Sequence, residues 1–160
     1  MPFTPFHLGA GLLIGMIFFR RINIPAILLA SVIVDFRAIY CLFIGHCPMH
    51  GFFHTFAGAS ILGLWVIALI YFSRAWLFKI SKLFKIEQNY SLHSIVCGAL
   101  IGVWVHILLD AFLYPEIHPF WPVEGNTRLL GVMSSPMVYG LCTAGFLIGG
   151  LLYVWYLIKS

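Results

Sequence analysis

Charge is what this sequence has least of. Of 160 residues, 5 are acidic and 9 basic, so 9% are charged while 62% are hydrophobic. Soluble domains carry roughly 25% charged residues. At a mean hydropathy of +1.01 there is too little polar surface to cover a water-facing globule. Composition therefore excludes a soluble enzyme, a disordered segment and a typical nucleic-acid binder. The net charge of +4 does not reverse this, because nine cations scattered over apolar segments make no phosphate-tracking stripe. Also missing are a CxxC pair, an internal repeat and a linker, so one domain over 1–160 is expected. The first apolar run lacks a basic leader and a small-residue cleavage site, which argues against a removed signal peptide. Cys41, Cys47, Cys97 and Cys142 read mostly as apolar filler. Cys41 and Cys47 are close enough in sequence to pair in an oxidising compartment.

What is present is greasy sequence in five stretches: 5–19, 24–44, 51–73, 92–113 and 136–158. A span needs about 20 apolar residues. The last four qualify, and the first predicts a short helix starting at Thr4-Pro5, a cap residue followed by proline. The expectation is an all-α polytopic membrane protein, a compact bundle of about five transmembrane helices. Arg20, Arg21, Arg74, Lys79, Lys82, Lys85 and Lys159 all fall on one side of such a bundle. The positive-inside rule makes that side cytoplasmic, with the N-terminus outside the cell (inner) membrane. The segment 74–86 reads as an amphipathic helix on the cytoplasmic leaflet, and a continuation of the third helix fits equally well. Gly11/Gly15, Gly98/Gly102 and Gly145/Gly149 permit close helix approach, chiefly within the chain and otherwise in a homodimer.

Ionisable residues inside a membrane are costly and mark function by default. On this topology most acids and histidines gather in the outer half, opposite the cations. His50 and His54 are four apart, as are His106 and Asp110, which on a helix shares one face. Asp35 joins them from the second helix and His7 from the first. Imidazole plus carboxylate without thiolate suits zinc or another divalent ion at a catalytic site. The expected ligands are His7, Asp35, His50, His54, His106 and Asp110, for one or two ions. Asp35 and Arg37, two apart, face different sides of a helix and make poor partners. His46, His118 and His93 are assigned no role.

At these residues the chain resembles the YdjM-like family of inner-membrane metal-dependent hydrolases, which has a LexA-regulated bacterial member. The family shows an N-terminal His, a Pro-preceded D-x-D, HRGxTHS, a GxxxHxxxD helix and a Pro-rich segment ending in Trp-Pro. Here His7 matches the first element, and Asp35 stands at the acidic motif without the proline. The run from His50 through Gly51 to His54 and Thr55 looks like the third, its histidines one residue closer together. Gly102, His106 and Asp110 match the helix, and Pro119 to Pro122 the last element. The resemblance covers roughly 1–122. Arg37 replaces the second acid, so either a ligand is lost or Arg37 binds an anionic substrate group.

The expected function is hydrolysis of a lipid or lipid-linked phosphoester, with Asp110 or Asp35 as general base. Two rivals use the same residues: a haem-binding electron carrier through His54 and His106, and a metal-ion or proton transporter.

Overall fold

A computed structural model of the chain describes residues 4–45, 50–86, 88, 90–123 and 129–159, and the side chains of all of these but 4, 42 and 44. Among the described residues every regular element is helical: α1 (His7–Ile17), α2 (Ile24–Ile33), α3 (Phe36–Ile44), α4 (Phe56–Leu83), α5 (Leu92–Ala111) and α6 (Ser135–Lys159). Short 3-10 turns, Thr4–Phe6 and Phe52–His54, lead into α1 and α4.

Three helices, α4, α5 and α6, are long and apolar enough to cross a membrane. That is fewer than the five expected. α1 and α2 have 11 and 10 residues, about 15 Å each, roughly half of a 30 Å hydrocarbon layer. The run 24–44 is not one span but two helices, α2 and α3, broken at Val34–Asp35. Hydropathy does not register such a break, because backbone can leave the helix at membrane depth wherever protein covers it. Asp35 takes φ −76° and ψ −1°, the bridge region often used at functional sites. Its carboxylate is fully buried. Gly45, at φ 83°, then ends α3 in the left-handed conformation.

The segment 74–86 is a continuation of α4 as far as Leu83, not a separate surface helix. It holds no glycine or proline to interrupt the helix. At the other end α4 starts later than expected. Gly51 is extended, and Thr55 caps the helix by accepting a 2.9 Å bond from Gly58 N.

α5 is the interior helix. Half of its apolar window is buried, against 28% for α4 and 17% for α6. Ile95, Ala99, Val103 and Ile107, at helical spacing, pack with Ala26 and Ala30 of α2, with Val34 just after it, and with Ala59, Val66 and Ile70 of α4. The outer faces of α4 and α6 expose Trp65, Phe72, Leu147 and Leu151. Such faces suit lipid rather than water.

Glycines set the closest approaches. A Cβ on Gly102 would come within 2.6 Å of Ala30 Cβ and 2.7 Å of Ile27 O, and one on Gly98 within 2.8 Å of Asn23 O. Gly11 and Gly15 likewise abut α2, while Gly145 and Gly149 abut α1. All three glycine pairs thus serve contacts inside the chain, and those faces are occupied.

The helices bring unlike residues to opposite ends. At one end lie the close of α1, the start of α5 and the ends of α4 and α6. Phe19 meets Tyr156 at 4.5 Å between ring centroids, and Tyr153 bonds Phe84 O at 2.8 Å. Arg20, Arg21, Lys82, Lys85 and Lys159 belong to this end. At the opposite end the start of α1 meets the end of α5 and the start of α6, with Phe6 against Tyr139 and His7 against Asp110.

Candidate metal centre

Four elements deliver the side chains at this second end. α1 begins on His7, the α2–α3 break supplies Asp35, the 3-10 turn before α4 supplies His54, and the last turns of α5 carry His106 and Asp110. All five are at most 1% exposed. They form an alternating chain. His7 Nε2 lies 3.3 Å from Asp110 Oδ1, and His106 Nε2 lies 3.3 Å from Asp110 Oδ2 and 3.4 Å from Asp35 Oδ1. His54 Nε2 follows, 3.5 Å from Asp35 Oδ1. One ligand atom each from Asp35, His54, His106 and Asp110 falls within 4.8 Å of the others, a grouping able to hold a metal ion.

The tautomer of His106 sharpens this. Its Nδ1 lies 2.7 Å from Ser31 O. A carbonyl only accepts, so Nδ1 donates, and in the neutral ring Nε2 is then a bare lone pair facing two carboxylates. Something positive belongs between them. A proton would make charge-assisted hydrogen bonds of about 2.7–2.9 Å. The separations of 3.3–3.5 Å between neighbouring atoms are longer than that, and the four ligand atoms all stay within 4.8 Å of one another, which leaves room for an ion among them. The carbonyl behind His106 is also the usual outer partner of a metal-bound imidazole.

Hydrogen-bond satisfaction agrees. Nine buried side-chain N and O atoms lack a partner among the described residues. All but Asn23 Nδ2 belong to His7, Asp35, His50, His54, His106 and Asp110. Burying that many polar atoms unpaired costs of order 1–3 kcal/mol each, so the cluster calls for a common ligand. The donor set fits a divalent cation, whose charge two aspartates balance.

Two sequence expectations are revised. His50 and His54 do not share a helix face, because both precede α4. Their rings still meet edge-on at 4.8 Å. His50 stands beside the four-residue group rather than in it, its Nδ1 donating to Glu116 Oε1 at 2.9 Å. Burial, with the neighbouring His54, lowers the His50 pKa from its ordinary value. His7 is likewise a neighbour, stacked on His106 at 4.0 Å. Arg37 makes no ion pair with Asp35, whose partners among the described residues are histidines. Its guanidinium lies against Gly51, where a Cβ would sit 2.7 Å from Nη1.

Sequence reasoning missed Ser31, Glu116 and Tyr114. Ser31 contributes its backbone carbonyl, which no residue type signals. Tyr114, its ring tilted against His50 at 5.0 Å between centroids, and Glu116 reach the site from a loop, where spacing carries no geometry. That loop covers the centre: Phe56 N bonds Pro119 O at 2.8 Å, and Trp121, before a cis proline, meets Phe52 at 5.5 Å. A cavity of about 310 Å³ beneath it is lined by Gly51, Phe52, Thr55, Glu116, His118 and Trp121. His46, Cys47, Glu87, Glu124 and Arg128 lie outside the described residues. Cys41 is disulfide-bonded, and Cys97 and Cys142 are free thiols.

No family model, curated protein or solved structure matches the chain.

Proposed function

We propose that the chain is a membrane-embedded, metal-dependent hydrolase of a lipid or lipid-linked phosphoester, with zinc the best-suited ion. The observation that carries this reading is the buried, otherwise unpaired group of Asp35, His54, His106 and Asp110. The resemblance to the YdjM-like family points the same way. A bound divalent ion would polarise the phosphoryl group and supply a hydroxide-like water at neutral pH.

The chain's own residues then divide the work. His54 and His106 present ring nitrogens, and Asp35 and Asp110 supply balancing charge. Since both carboxylates converge on the imidazoles, the general base is better sought in His50 than in Asp35 or Asp110. Glu116 fixes its tautomer and leaves Nε2 free for a proton. Arg37, half-buried against Gly51, would take an anionic oxygen of the substrate.

Two features favour a lipid substrate. The centre lies where α4 begins and α5 ends, the depth of a head group. Beside it a cavity of about 330 Å³ is walled by Pro5, Leu8, Leu29, Ile33, Phe36 and Ile39, all apolar. Pro5 and Leu8 bracket His7, and Ile33 and Phe36 bracket Asp35, so a chain there would lead to the centre. The haem alternative would place two carboxylates against the iron. The transporter alternative needs polar residues further along α5, whose buried residues toward its start are apolar or small.

The test is hydrolysis of phospholipid phosphoesters by the purified protein. Activity should vanish on chelation, return with zinc, and fall more than about 100-fold in Asp110→Asn. Activity indifferent to both chelation and Asp110→Asn would refute the reading.

A further inference from the structure

The opposite end of the bundle holds two clefts that the metal centre does not use. One, of about 640 Å³, opens between the end of α1 and the start of α5, with Ile14, Ile22 and Ile101 as its apolar wall and Ser91, His93 and Ser94 as its polar side. The other, of about 470 Å³, opens between the end of α1 and the end of α6, against Met16, Leu152, Trp155 and Tyr156. Phe18, Arg20 and Arg21 line both. The two arginines therefore sit at the fork of two largely apolar clefts separated by Phe18.

We infer that this fork binds one anionic diacyl phospholipid, its phosphate on Arg20 and Arg21 and one acyl chain in each cleft. Charge complementarity supports it. Both arginines are exposed, and neither cleft has an aspartate or glutamate in its lining. Guanidinium groups take phosphate oxygens in bidentate fashion. The start of α5, capped by Ser91, adds the positive end of a 20-residue helix to the same cleft. Free phosphate would satisfy the arginines but leave the apolar walls uncovered, so the occupant carries chains. The sequence-based orientation puts this end at the cytoplasmic leaflet, where anionic lipids concentrate. Arg20 and Arg21 thus act as a lipid clamp as well as a topology signal.

The test uses the full chain in nanodiscs of phosphatidylcholine, alone or doped with phosphatidylglycerol. Native mass spectrometry counts the lipid retained. Wild type should keep one phosphatidylglycerol in preference to phosphatidylcholine. Arg20→Gln/Arg21→Gln should weaken that preference about tenfold or more, while Lys79→Gln/Lys82→Gln, cations of α4 outside both clefts, should leave it intact. Ile101→Trp fills a cleft without changing charge and should also weaken it, which keeps the test open if the double arginine variant does not fold. Equal losses from the lysine and arginine variants, or displacement of the lipid by inorganic phosphate, would overturn the proposal.

Discussion

The two ends of this bundle are built from similar greasy helices and treat polar groups in opposite ways. At the cationic end buried polar groups are structural and mostly satisfied. Gln88, from the α4–α5 connection, accepts from Ile24 N at 2.7 Å and donates to Phe19 O at 2.8 Å and Ile22 O at 3.1 Å. Asn23 caps α2 by accepting from Ala26 N at 3.1 Å, and Ser81 meets Tyr90 at 2.6 Å. At the other end imidazoles and carboxylates are buried side by side with ring nitrogens and oxygens unpaired. Burial makes unpaired polar atoms costly, so the second arrangement persists because something other than stability requires it. Substitutions at the first end should change folding, and at the second, chemistry.

The largest expected stability effect tests the scaffold between the ends. Gly102→Val would drive a side chain into Ala30 and the Ile27 carbonyl, costing about 1–3 kcal/mol or more. Thermal unfolding in detergent should show a clearly lowered midpoint. Gln88→Leu comes next. It strands the Ile24 N–H and two carbonyls at the cationic end, for about 1–3 kcal/mol, and metal content in the folded fraction should stay at the wild-type level. If Gln88→Leu lost metal as readily as stability, the two ends would not be separable. Smallest in stability is Arg37→Ala, within about 0.5 kcal/mol for a half-exposed side chain. Its effect should be a raised KM for an anionic substrate, read in steady-state kinetics. An unchanged KM would remove Arg37 from the site.

Much of this contrast was legible in the sequence because so few residues carry charge. Most cations and most His/Asp residues fell on opposite sides by counting alone, and the structure keeps Arg20, Arg21, Lys82, Lys85 and Lys159 away from the His/Asp group. His106 and Asp110 were correctly placed on one helix, since a strongly apolar run around an i,i+4 pair leaves little other choice. Asp35 was expected to join them and does, while His7 packs against the group without belonging to it. What spacing could not give was continuity. The run 24–44 looks like one span because hydropathy averages over the break at Asp35, and His50 and His54 look helical because Thr55 was not recognised as the cap. The contribution of Glu116 was illegible for a different reason: it comes from a loop held by Pro119 and Trp121, whose path depends on tertiary contacts.

The central claim is that the His/Asp end is a metal site. Its most direct test is the metal content of the purified protein, measured for wild type, His54→Ala and Asp110→Ala. Wild type is expected to carry a stoichiometric divalent ion, and both variants to lose it. A wild-type protein free of metal after preparation without chelator, or variants that retain the wild-type amount, would contradict it.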